Sequence, residues 1–419
     1  MPARARGAGR GHFSLKGASL RISALVLALL SFGAANIAWG AAIDTNPMNH
    51  DPQVRAAYAY FHELDFPSAV ARFKRYHEEH PGSPQATAYL LNAEVFQELY
   101  RLDLLDTTFY ANDGFLSGKH ATVEDPEARA RIMDLANEVV SEADWRLKQN
   151  PNDVNALFAR GWARSLECAY IAMAERGFSA GFHLASKAKD DEQRVLQLDP
   201  NYADAKLVVG VYEYVVGALP WPFKFLIGFA GISGSKSKGM AMLRDAGEHG
   251  VITSTEARTV MALFLRRESK YNQAIEIVRG LEHEYPRNFL FRLEEANLRK
   301  DAGEGMTAVT SYREVIADAR KPGYFPSAKI ELAEFGLGDA LRGQRHYEEA
   351  AKAYERAASA KGVGTELKLR SLVNGGKCRD VAGQRQLAID DYQEAIEAGS
   401  NTSRADTARK YLRKPYHGS

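Results

Sequence analysis

The sequence predicts an all-α fold, a solenoid of stacked helical hairpins, and three observations predict it. One is a set of small and aromatic residues that recurs in register. In "AEFGLGDALRGQRHYEEAAKAYERAASA" the set is Leu337, Gly338, Leu341, Tyr347, Ala350, Tyr354 and Ala357. It returns at Gly376, Gly383, Ala388, Tyr392 and Ala395, at Ala296, Gly303, Ala308 and Tyr312, and at Ala262, Tyr271, Ala274, Val278 and Pro286. The second is spacing: the small residue of each first helix stands twelve residues before the alanine of the second. Two antiparallel helices can approach closely at such a pair while the aromatics fill the gap beside it. The third is the near absence of strand signals, since no two alternating β-branched runs are joined by an Asn-Gly or Asp-Gly turn.

The chain opens on a segment that reads as a secretory signal. Arg4, Arg6, Arg10, Lys16 and Arg21 precede or flank an apolar run from Ile22 through Phe32, and small residues follow to Ala42. The export machinery reads that order, basic then apolar then small. Ala38 and Gly40 suit the pockets before the scissile bond, so cleavage is expected after Gly40 or Ala42. An uncleaved membrane anchor is the lesser alternative, because the apolar core is short for a bilayer. The expected location is therefore exported, periplasmic or secreted. Residues 41–53 are expected as a linker.

The whole chain has 54 Lys and Arg against 53 Asp and Glu; without residues 1–40 the balance is 49 against 53, net −4. A near-neutral, slightly acidic protein lacks the electrostatic footprint for nucleic acid. Acidic and basic residues alternate as on a solvated helix face. Cys168 and Cys378 are two lone cysteines, read as small buried apolar residues rather than a disulfide pair.

The pivotal alanines of the C-terminal units are 274, 308, 350 and 388, with spacings of 34, 42 and 38. Ala57, Phe66, Ala69, Phe73 and Pro81 carry the same register near the mature N-terminus. The pattern resembles the tetratricopeptide repeat, a helix-turn-helix unit of about 34 residues. It implies N-terminal repeats over 54–200, a modified repeat over 201–250, further repeats over 251–400 and a C-terminal tail, 401–419. Two adjacent units are enlarged. From Gly161 to Ala188 is 27 residues, and from Gly210 to Ala241 is 31, where twelve is usual. Both are expected as insertions within a repeat, which project on one face of a solenoid.

The second insertion, "GALPWPFKFLIGFAGISGSKSKG" over 217–239, is the candidate interaction surface. Pro220 and Pro222 forbid a continuous spanning helix of ~20 residues. Pro222 suits the first turn of a short helix to Phe229 with little polar face. That helix is expected to lie buried on the solenoid, against Phe178 and Phe182 of the neighbouring insertion; a protein partner or a lipid interface are the competing neighbours. Tyr212, Tyr214, Trp221, Phe223, Phe225 and Phe229 form the candidate partner or ligand surface. A phosphate-binding loop fails on spacing: five residues separate Gly228 from Gly234, and Ser235 intrudes before Lys236. His77 and His80 in "HEEH" stand three apart, not the four of a zinc-protease helix. No catalytic residue, metal site or cofactor is expected, and an enzyme is not.

In "GALPWPFKFLIGFAGISGSKSKGMAMLRDAGEHG" the chain resembles the tetratricopeptide repeat protein 39 and inclusion-body clearance proteins. The matching residues are Leu219-Pro220, Phe225-Leu226, Phe229-Ala230-Gly231-Ile232-Ser233-Gly234, and Gly239 with Leu243. The resemblance covers about residues 200–320 and implies a helical scaffold without catalytic residues. The reading that follows is an exported scaffold holding a protein or peptide in its concave groove. The alternative is a periplasmic carrier of a hydrophobic small molecule or lipid, in a pocket under 217–239.

Overall fold

The computed structural model describes residues 45–111, 125–219 and 233–418. The expected signal, residues 1–40, lies outside them, as do Trp221 and the expected helix from Pro222 to Phe229. Among the described residues there are helices and no strand, and no helix is long and apolar enough to cross a membrane.

The helices run in successive hairpins: α1 (Pro52–His62) with α2 (Phe66–Glu79), α3 (Pro84–Arg101) with α4 (Pro126–Gln149), and α5 (Val154–Met173) with α6 (Phe178–Leu198). Next come α7 (Ala205–Ala218) with α8 (Lys236–His249), α9 (Ser254–Arg267) with α10 (Tyr271–Glu284), and α11 (Phe289–Asp301) with α12 (Gly305–Ala319). The last are α13 (Ile330–Gly343) with α14 (Tyr347–Ala358), and α15 (Thr365–Val381) with α16 (Arg385–Ala398), followed by α17 (Ser403–Arg413). Each packs chiefly on the helices before and after it, which makes an all-α helical solenoid. Asp51, Asp65, Ser83, Asp153 and Asn288 accept first-turn amides as N-caps. Those amides have no partner within the helix itself.

The register holds in three dimensions. Ala69, Ala274, Ala308, Ala350 and Ala388 are all 0 % exposed. A Cβ on Gly338 would stand 2.8 Å from the Tyr354 ring, and one on Gly376 would stand 2.5 Å from that of Tyr392. Five residues before each pivotal alanine, the chain turns through a left-handed residue: Leu64, Ser269, Gly303, Arg345 and Gly383, with φ between 58° and 82°. The next amide then reaches back five residues, as Lys270 N to Leu265 O at 2.9 Å and His346 N to Leu341 O at 2.9 Å. This bond closes the end of each first helix and aims the second.

Four expectations are corrected. The enlarged unit from Gly161 to Ala188 is not a projecting insertion: its helices are 20 and 21 residues long, against 14 and 14 for α9 and α10. The extra residues continue the helical period, so they lengthen the hairpin. In the next unit Ala241 is exposed, and Gly210 instead faces Gly239 and Leu243. Residues 401–419 do not begin as a tail, since α17 buries Ala405 and Ala408 against α15 and α16 and caps the stack. Residues 45–53 do not form a free linker: Thr45 and Asn49 are buried and donate to the Asp204 carboxylate, Asn49 at 3.2 Å.

That last contact belongs to a long-range closure. Asp204 also accepts the amides of Val251, Ile252 and Thr253 at 2.8, 3.1 and 3.1 Å. Asn288 Nδ2 donates to the carbonyl of His62 at 2.6 Å, and Arg287 pairs with Glu63 at 3.1 Å. One apolar core runs from Val54 through Tyr202, Ile252 and Phe289 to Phe325 and beyond. The N-terminal helices are therefore built into the later hairpins.

Candidate functional site

The expected surface on α7 divides at its two tyrosines. Tyr214 is 1 % exposed and stacks on Phe264, ring centroids 3.7 Å apart. Its hydroxyl donates to Phe264 O and Glu268 Oε1, both at 3.2 Å. It is a packing residue between α7 and α9. Tyr212, two positions away, turns to the other side, where Phe182 lies 5.8 Å off and Lys189 Nζ stands 5.3 Å above its ring. The two tyrosines do not share a wall. Trp221, Phe223, Phe225 and Phe229 lie outside the described residues.

The base of the 217–239 insertion is tightly made. A Cβ on Gly234 would fall 2.6 Å from Gly217 N, so the backbones touch where the segment leaves and returns. Glu213, 9 % exposed, accepts Ser235 N at 3.1 Å and Lys238 Nζ at 2.6 Å. Neither Glu213 nor this backbone contact was visible in the apolar pattern that marked the insertion.

A different face gathers the polar chemistry. The segment from Leu102 to Ala111, which follows α3, crosses the first helices of successive hairpins. Lys329, just before α13, pairs with Asp103 and donates to Arg101 O at 3.2 Å. Tyr100 Oη donates to Ser327 O at 3.2 Å. Thr107 Oγ1 accepts from Arg266 Nη1 of α9 at 2.7 Å and donates to Glu294 of α11. Arg267 Nη1 donates to Tyr110 O at 2.7 Å. Arg266, 3 % exposed, also pairs with Asp301 at 2.6 Å. Burial alone would lower its guanidinium, but Glu294, Asp301 and Asp106 outweigh that and raise it. The first helices thus present Arg266 and Arg267, with Lys329 just before α13, and a stretch of the same chain lies along them.

Elsewhere the perturbed groups are interior. His62 and Glu256 stand 4.0 Å apart, yet burial lowers the imidazole to about 3 and raises the carboxyl to about 8. Both are neutral near pH 6, so the contact is not an ion pair. Glu192 is buried with both oxygens unpartnered, and burial holds its carboxyl well above the usual range. Cys168 and Cys378 are free thiols, raised by burial to about 11 and about 12. His77 and His80 diverge: His77 Nε2 lies 3.6 Å from Glu138, while His80 Nδ1 bonds Tyr76 O at 2.8 Å. An open cleft of about 390 Å³ between α12, α13 and α14 is lined by Arg313, Arg320 and Arg356. Its charges are taken, Arg320 and Arg356 by Glu334 and Arg313 by Glu349.

No protein-family model matches this chain, and no curated protein matches it. Among solved structures it is similar to yeast Tom70, at 11% identity and TM-score 0.40, over 86% of this chain and 87% of that one. It is similar to the human IFIT1 dimer with PPP-AAAA, at 12% identity and TM-score 0.43, over 89% and 83%. It is also similar to the P58(IPK) TPR domain, at 13% identity and TM-score 0.21, over 86% and 98%. At such scores the fold rests on the hairpins, left-handed turns and buried alanines of the chain itself, and these make it an all-α solenoid of repeated helical hairpins.

Proposed function

We propose that this chain is an exported, non-catalytic scaffold that binds a protein or peptide partner along the face formed by its first helices. The observation that carries the reading is the set of Arg266, Arg267 and Lys329, which already holds a turn and short 3-10 stretch of polypeptide, 102–111, by its side chains and carbonyls. A surface that grips backbone and carboxylate in this way suits peptide recognition. Export rests on the order of charges and apolar residues in 1–40. The closer kinship, with the tetratricopeptide repeat protein 39 and inclusion-body clearance proteins, rests on the residues quoted from 217–250. The absence of nucleic acid among its partners rests on the charge balance. A non-catalytic role is supported by Glu192, whose carboxyl is fully buried where a substrate has no approach. The carrier alternative loses one wall, because Tyr214 is committed to Phe264.

Cross-linking and mass spectrometry on the chain recovered from its exported fraction would test this. The intact mass should begin after Gly40 or Ala42, and partner cross-links should reach Lys329. Cross-links confined to second helices, or a stoichiometric bound lipid, would sink the groove reading.

A further inference from the structure

We propose that the C-terminal end of the solenoid holds a phosphate-binding site, built around Lys377 of α15 with Arg342 of α13 and Lys410 of α17.

The charge is laid down in the sequence. Residues 401–419 carry Arg404, Arg409, Lys410, Arg413 and Lys414 against the single Asp406, in a chain that is net −4 beyond residue 40. Packing α17 onto α15 and α16 brings part of that charge beside Lys377.

The corner that receives Lys377 is fixed by hydrogen bonds. Tyr416 N donates to the buried Asp380 carboxylate at 2.8 Å. Arg385 Nη2 donates to the carbonyls of Tyr411 and Leu412 at 2.9 and 2.7 Å. The rings of Tyr411 and Tyr416 then meet edge to face, with centroids 5.3 Å apart. Lys377 Nζ stands 5.3 Å from the first ring centre and 5.7 Å from the second. Lys410 Nζ also stands 5.3 Å from the centre of Tyr411.

Ring faces attract an ammonium group but bring no counter-charge. Among the described residues no carboxylate pairs with Lys377 or Lys410, whereas Arg342 pairs with Asp339 at 3.1 Å and Arg404 with Glu366 at 3.2 Å. Burial, and then the charges of Arg342, Arg404 and Lys410, hold the Lys377 ammonium below its usual range. An anion bound in the corner relieves that repulsion. Arg342 and Arg404 are 40 % and 43 % exposed, so a ligand reaches it from solvent.

A phosphate group suits the corner better than a carboxylate. It carries about two negative charges and three acceptor oxygens, and so takes ammonium groups from several directions. A carboxylate carries one charge in a flat fork, which suits a single guanidinium.

The probe is inorganic phosphate, titrated calorimetrically into the full chain at neutral pH, with chloride holding the ionic strength constant. Saturable binding is expected, and acetate should give none. Lys377→Met keeps the apolar stem and removes the charge, so it should weaken binding about tenfold or more. Lys74→Met, exposed at the far end on α2, should leave it unchanged. No saturable binding by wild type overturns the proposal, as does acetate binding equally well, or a cooperatively melting Lys377→Met that binds as wild type does. Should that variant not fold, Lys410→Gln on the exposed surface replaces it, with a severalfold loss expected and an unchanged affinity overturning the site. Vesicles of phosphatidylcholine containing phosphatidic acid separate the sources. Co-sedimentation that Lys377→Met removes assigns the phosphate to a lipid headgroup, and phosphate binding without co-sedimentation assigns it to a soluble molecule; both support the site.

Discussion

The backbones of Gly210 and Gly239 are in contact. A Cβ on Gly239 would lie 2.6 Å from the Gly210 carbonyl oxygen and 2.7 Å from Tyr214 N. Both obstacles are main chain, so neither can rotate away, and α7 and α8 would have to separate. Gly239→Ala should therefore destabilise by roughly 1–3 kcal/mol, as overpacked cores do. Gly280, on the exposed side of α10, has nothing within 4 Å of its missing Cβ. There the same change should stabilise by about 0.5–1 kcal/mol, the helix-propensity difference between glycine and alanine. Paired thermal melts read the opposite signs; equal shifts would refute the contact.

Ala350 is 0 % exposed where α14 packs on its neighbours α13 and α15. Ala350→Leu should cost roughly 1–3 kcal/mol by overpacking. An unchanged melting temperature would place the repeat register elsewhere.

Asp204 joins three parts of the chain: Thr45 and Asn49 at one end, its own helix start, and the amides of 251–253. Asp204→Ala strands several buried donors at about 1–3 kcal/mol each, so a loss of at least about 3 kcal/mol is expected in urea unfolding. Asp204→Asn keeps an acceptor and should lose less. In the alanine variant, limited proteolysis should also open the chain before His62. Resistance equal to wild type would mean that the apolar core alone holds the N-terminus.

Burial raises the Glu256 carboxyl from 4.5 to about 8, with the Asp204 charge adding to the shift. The folded chain keeps a proton that the unfolded chain gives up above pH 4.5. This contribution is complete below that pH and is lost as the pH rises to about 8. His62 works in the other direction: lowered from 6.5 to about 3, it contributes above pH 6.5 and its share is lost as the pH falls toward 3. Glu256→Gln has no proton to lose, so its stability relative to wild type should rise between pH 5 and 8 by a few kcal/mol, at up to about 1.4 kcal/mol per pH unit. Urea midpoints at the two pH values test this, and a constant difference would show that Glu256 is already charged in the folded chain.

Local periodicity determined the helices, the hairpin register and the burial of Ala274, Ala308, Ala350 and Ala388, because each depends on residues a few turns apart. Leu64, Ser269 and Arg345 adopt the same left-handed geometry as Gly303 and Gly383 with no glycine to announce it. In the unit from Gly161 to Ala188, spacing showed the enlargement but not that it was longer helix. Only the tertiary structure decided that Asp103 meets Lys329 across 226 residues and Thr45 meets Asp204 across 159. Those meetings depend on a small rotation at every hairpin, summed along the solenoid. No single window of sequence carries that sum, so the set of Arg266, Arg267 and Lys329, and the segment lying along them, emerge only when the whole stack is built.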